Sequence, residues 1–127
     1  MTKQIISTQN APQAIGPYSQ AIAFGDLIFT SGQLPLDAAT GKLIDSDIKA
    51  ATAQVIKNVQ AILQEAGSSL DKVLKVTVYL KDMADFAAMN ETYAEFFGTT
   101  NPPARTTIQV AKLPMDVAVE IDVVAGK

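Results

Sequence analysis

The order of its hydrophobic patterns predicts an α+β fold for this chain. Short alternating stretches open and close it, two stretches with apolar residues spaced by three and four lie between, and one further alternating stretch separates those two. Strands, helix, strand, helix, strands is an order that suits a mixed-sheet sandwich with two helices on one face. With 127 residues, 48% of them hydrophobic and 18% charged, the chain has the size of one globular domain, expected to span residues 1–127.

The first strands are expected at about 4–8, 18–24 and 27–31, punctuated by Pro12, Gly16-Pro17 and Gly25-Asp26. The last two of these can pair across the Gly25-Asp26 turn. Ile48, Ala51, Val55, Val59, Ile62 and Ala66 then form one apolar stripe of a helix, capped by Ser46 or Asp47 and closed at Gly67. A strand follows at about 73–80, with Leu74, Val76, Val78 and Leu80 expected on one face and Lys75, Thr77 and Tyr79 on the other. Asp82 caps a second helix carrying Phe86, Met89, Tyr93 and Phe96 or Phe97, stopped by Gly98 and Pro102-Pro103. Two closing strands, at about 104–110 and 117–124, are expected to form a hairpin around the loop containing Pro114.

What the chain lacks narrows its chemistry. It has no Cys and no His, which removes disulfides, thiol nucleophiles, His-based nucleophile pairs and the usual zinc ligand sets. Proton transfer falls to carboxylates, Lys, Tyr or bound water. A net charge of −3 and the absence of a Lys or Arg cluster argue against a nucleic-acid surface. No window has the length and apolarity of a membrane span, and the N-terminus shows no export signal, so a cytoplasmic location is expected. Thr40-Gly41-Lys42 resembles the end of a phosphate loop, but Leu36 stands where the earlier Gly is required, and a turn is expected instead.

The closing strands carry the candidate chemistry. Ala104, Thr106, Ile108 and Val110 alternate with Arg105, Thr107 and Gln109, while Val117, Val119, Ile121 and Val123 alternate with Ala118, Glu120 and Asp122. A symmetric hairpin would set Thr107 across from Glu120 and Arg105 one diagonal step away. Arg105 is the sole Arg among ten basic residues. Its rigid fork matches a carboxylate, yet residue type alone favours a surface salt bridge to Glu120 or Asp122, and the spacing does not decide between them.

Five segments, IGPYSQA (15–21), TSGQLP (30–35), KVTVYLKDMADFAAMNETYAEFF (75–97), NPPART (101–106) and VAKLPMDVAVEID (110–122), together resemble the Rid family of enamine/imine deaminases, also called YjgF. The resemblance runs nearly end to end. It implies a chorismate-mutase-like protomer in a homotrimer, with ligand clefts between subunits. By the same resemblance Arg105 binds a substrate carboxylate and Glu120 orients or activates the attacking water. Tyr18, Ser31 and Asn90 line the cleft, and Gly32 and Thr107 contact the ligand through backbone atoms. Many family members carry Cys at the position of Thr107, so thiol-dependent behaviour is not expected here.

The implied activity is hydrolysis of reactive 2-imino acids such as 2-iminobutanoate and 2-iminopropanoate to 2-keto acids and ammonia, without metal or organic cofactor. The implied metabolic link is to pyridoxal-dependent dehydratases that release such imines. Two other functions remain open at this point: a regulatory protein binding small carboxylates in the same cleft, and a ribonuclease, to which the acidic balance and lack of His run counter. Each site residue also has a plain structural reading. Tyr18 can cover the sheet, Ser31 can be a strand-end hydroxyl, Asn90 a satisfied helix-flank amide, and Glu120 a solvated strand carboxylate.

Overall fold

The computed structural model describes residues 1–127. Six strands form one sheet: β1 (Gln4–Ile6), β2 (Ala21–Phe24), β3 (Leu27–Thr30), β4 (Val73–Leu80), β5 (Ala104–Gln109) and β6 (Val119–Gly126), in the spatial order β1-β2-β3-β6-β4-β5. Every pairing is antiparallel except β4 with β5, so the sheet is mixed, as expected. Helices α1 (Ile48–Glu65) and α2 (Phe86–Phe97) pack on each other and on one face of it.

The local signals act as their chemistry requires. Asp47 caps α1, its side chain accepting from the Ala50 N–H at 2.8 Å, and Gly67 follows the helix with φ of 79°. Gly25, with φ of 60°, carries the two-residue connection that pairs Phe24 with Leu27. Asp82 caps a short 3-10 turn, Met83–Asp85, which leads into α2 rather than capping α2 itself. Thr40-Gly41-Lys42 is a turn: Gly41 has φ of 72°, and Asp37 accepts from the Ala39 N–H at 2.8 Å. Observed strands are shorter than expected near the N-terminus, and Tyr18 precedes β2 instead of lying in it.

Two further expectations fail. Leu74 does not share the buried face of Val76, Val78 and Leu80, because the β4–β6 register shifts between Val73 and Lys75. That bulge leaves Leu74 54% exposed while Val73 turns inward. More consequentially, the closing strands are not a hairpin. β6 inserts between β3 and β4, and β5 runs parallel to β4 on the sheet edge. Burial explains the choice. Val119, Ile121, Val123 and Ala125 are all essentially inaccessible, and at about 1.5–3 kcal/mol for each larger aliphatic side chain removed from water they favour a central strand under the helices. The half-polar β5 follows α2 directly, and a strand–helix–strand crossover returns it parallel beside β4.

Candidate functional site

The topology separates the polar residues that a hairpin would have gathered. Arg105 pairs with Val76 and Thr107 with Val78, so both side chains lie on the helix face of the sheet. Glu120 pairs with Tyr79 and lies on the opposite face, because its neighbours Val119 and Ile121 point into the core. Thr107 is therefore not across from Glu120, and Arg105 is not diagonal to it. One chain carries two half-sites.

The first half-site is built on α2 and β5. The Arg105 guanidinium lies over the Tyr93 ring at 4.6 Å from its centroid and near Phe86 at 5.6 Å, a cation-on-aromatic arrangement that holds the planar group without neutralising it. Arg105 Nη1 donates to Asn90 Oδ1 at 2.7 Å. The two ion pairs of the molecule are Lys49–Glu91 and Lys81–Asp116, so the salt-bridge reading of Arg105 fails. Its charge is oriented but unpaired, on an open cleft of about 360 Å³ lined also by Thr99 and Pro102. Burial raises the Tyr93 hydroxyl above the usual tyrosine range, and the nearby Arg105 charge pulls partly against it. The Tyr93 and Thr107 hydroxyls are both buried without a hydrogen-bond partner, a costly condition in a packed protein.

The second half-site lies at the end of β3 and the start of β6. Tyr18, Ser31, Gly32 and Glu120 line one cavity of about 440 Å³ with Ile15 and Met115 among its apolar walls. The Glu120 carboxylate rests against Gly32, where any Cβ would collide with it. Burial, and secondarily the charge of Asp122, hold the Glu120 carboxyl above the ordinary carboxylate range. Ser31 Oγ donates to the Ser19 carbonyl at 2.6 Å, and the Ser31 N–H donates to the Gln20 carbonyl at 2.9 Å, so Ser31 also fastens the loop that presents Tyr18. Tyr18 itself is 52% exposed.

Sequence reasoning missed the residues that hold these walls. Gln20 is buried, accepts from the Thr8 N–H at 2.7 Å and donates to the Pro12 carbonyl at 2.8 Å. Asn58 of α1 donates to the carbonyls of Leu34 at 3.0 Å and Leu36 at 2.8 Å. A polar residue inside a helical apolar stripe was the available signal for Asn58. The spacing of Phe86 and Tyr93 marks the apolar stripe of the second helix, and spacing does not show that a guanidinium covers one end of that stripe. No group of three or more Asp and Glu converges as a metal site, and no helix is long and apolar enough to cross a membrane.

Comparison with known proteins agrees with this architecture. The family model described as Endoribonuclease L-PSP matches residues 8–127. A RutC family protein of Pyrococcus abyssi is 54% identical over 127 residues, covering 100% of this chain and 99% of its own. The 2-iminobutanoate/2-iminopropanoate deaminase of Salmonella typhimurium is 45% identical over 122 residues, covering 94% of both chains. The crystal structure of YyfA from Yersinia pestis, a protein of unknown function described as belonging to the conserved Rid family, superposes with a TM-score of 0.96 at 44% identity, covering 99% of this chain and 100% of that one. Matched over nearly its whole length in both sequence and fold, the chain belongs to the Rid (YjgF) family.

Proposed function

We propose that this protein is a hydrolytic deaminase that converts 2-imino acids to 2-keto acids and ammonia, at sites formed where the Arg105 half of one protomer meets the Glu120 half of another. The observation that carries the reading is the unpaired Arg105 guanidinium, fixed by Asn90 and the Tyr93 ring with its remaining donors free. A 2-imino acid offers that fork a carboxylate beside an electrophilic C=N carbon. Water held by Glu120 adds to that carbon. Its proton passes to the carboxylate and then to nitrogen to give a carbinolamine, the hydroxyl proton follows the same route to the amine, and the C–N bond breaks as the ketone forms and ammonia leaves. Tyr18, Ser31 and Gly32 shape the Glu120 side, while Asn90 and the Thr107 backbone shape the other.

Because Arg105 and Glu120 occupy opposite faces of one sheet, the reading requires more than one chain. The homotrimer implied by the resemblance meets that requirement. The deaminase name of the Salmonella relative supports the substrate class, and the chain's own side chains supply the chemistry without a cofactor. The test is a coupled assay in which a dehydratase generates 2-iminobutanoate and 2-iminopropanoate. Keto-acid formation should accelerate when the protein is added, and an unchanged rate would reject the reading. Such a failure combined with saturable keto-acid binding would favour a regulatory protein that binds small carboxylates in the same cleft, since the Arg105 fork can hold a carboxylate without turnover. The endoribonuclease description of the family model draws no support from the side chains, with no His available and no basic cluster to hold phosphates.

A further inference from the structure

Glu120 does not stand alone on the helix-free face. Asp122 follows it two residues along β6, so strand alternation places both carboxylates on that face. Tyr79 of β4 is the register partner of Glu120, yet its hydroxyl donates along the diagonal to Asp122 Oδ2 at 2.9 Å. The donor opposite Glu120 is thereby committed to its neighbour. Glu120 is left with the Gly32 main chain against its carboxylate and a like charge beside it, and no side-chain hydrogen bond contributes to its proton affinity.

The other charged and titratable groups around it do not cancel that effect. Tyr18 lines the same cavity, and the 30–33 segment carries no charged side chain. Lys81, two residues beyond Tyr79, is held by Asp116 at 3.0 Å, and Asp116 belongs to the turn leading toward β6.

We propose that Asp122, anchored by the Tyr79 hydroxyl, is a positioning residue for the deaminase reaction, a fixed negative charge that acts through Glu120 and touches no substrate. The inference rests on the reading of Glu120 as the carboxylate that handles water. A neighbouring charge that disfavours ionisation makes Glu120 a stronger base toward the attacking water and a group able to hold that proton until it passes to the departing nitrogen.

Asp122→Asn tests this, because it removes the charge while leaving a carbonyl oxygen for Tyr79. The chain has four glutamates, so carbon-13 labelling of their carboxyl groups gives few signals, and Glu120→Gln identifies the one lost. The Glu120 titration midpoint should fall in Asp122→Asn, as expected on removing a like charge two residues along the strand at a half-buried site. The acid limb of kcat/KM with 2-iminobutanoate should fall with it, and Asp122→Glu should restore most of both. Should Asp122→Asn fail to fold, Asp122→Ser removes the same charge and is read the same way. An unmoved midpoint in a folded protein overturns the inference, as does a midpoint that moves while the rate profile stays. If the wild-type protein hydrolyses no imine, the deaminase reading fails and the positioning role fails with it, while the titration still shows separately whether Asp122 acts on Glu120.

Discussion

Arg105 and Glu120 differ in what their surroundings ask of them. Arg105 is held in place by an amide and a ring face, so replacing it by Lys keeps the charge but loses the planar fork and its stacking. Arg105→Lys should fold with nearly wild-type melting temperature and lose about 10- to 150-fold in kcat/KM, the equivalent of one charge-assisted hydrogen bond of about 1.5–3 kcal/mol. Wild-type rates in a folded Arg105→Lys protein would remove it from the mechanism. Glu120→Gln should chiefly lower turnover and leave keto-acid binding nearly intact. Its stability has a sign of its own. Burial holds the Glu120 carboxyl above its unfolded value, so the native state binds the extra proton and stability declines as pH rises through the carboxylate range. Above that range Glu120→Gln should therefore melt no lower than wild type, with the difference vanishing in acid. Denaturant titrations at several pH values check this, and a variant markedly less stable at neutral pH would contradict the assigned burial. Gly32→Ala forces the carboxylate from its seat. It should cut turnover about tenfold or more while keeping the fold, equivalent to losing roughly 1.4 kcal/mol of transition-state stabilisation.

Among the elements, α1 serves as the platform for the Glu120 half-site. Its buried side chains, from Ala51 to Leu63, seat it on the sheet, and Asn58 reaches from it to the loop carrying Leu34 and Leu36. The cap at Asp47 is exposed and remote from both clefts. Asp47→Ala should cost about 1 kcal/mol, lowering the melting temperature by roughly 3–5 °C with kcat unchanged. Asn58→Ala should differ in kind, because it removes the side-chain amide that ties two loop carbonyls to α1. Reduced stability is expected together with reduced turnover, and a calorimetric scan beside the imine assay separates the two cases.

At the scale of the molecule, the helix-free face of the sheet exposes Ile5, Phe24, Leu27 and Phe29, whose register partnerships place them beside one another on neighbouring strands. Apolar area of this kind suits burial against further copies of the chain. Light scattering should report three protomers at micromolar concentration, and a persistent monomer would count against both the trimer and a shared site. Mixing Arg105→Lys with Glu120→Gln protomers, followed by unfolding and joint refolding, should recover activity that neither variant has alone. A site contained within one chain predicts no recovery. Prolonged chelation should leave the rate unchanged, and metal-restorable loss would require another mechanism.

Element type was legible in the sequence because it depends on local chemistry. The stripe from Ile48 to Ala66, the Asp47 cap and the Gly25-Asp26 turn each act within a few residues of themselves. For the candidate site, the family resemblance named residues but not their arrangement. Adjacency in sequence suggested that 104–110 and 117–124 pair with each other. Only the tertiary structure placed β6 in the centre and β5 at the edge, since strand order depends on which face each strand buries against distant elements. Alternation identifies two faces of a strand but not which of them meets the helices. For β5 the helix side holds Arg105 and Thr107, and for β6 the opposite side holds Glu120. The sequence by itself therefore determined the fold class and the family, while the separation of cation and carboxylate across one sheet was decided by long-range packing.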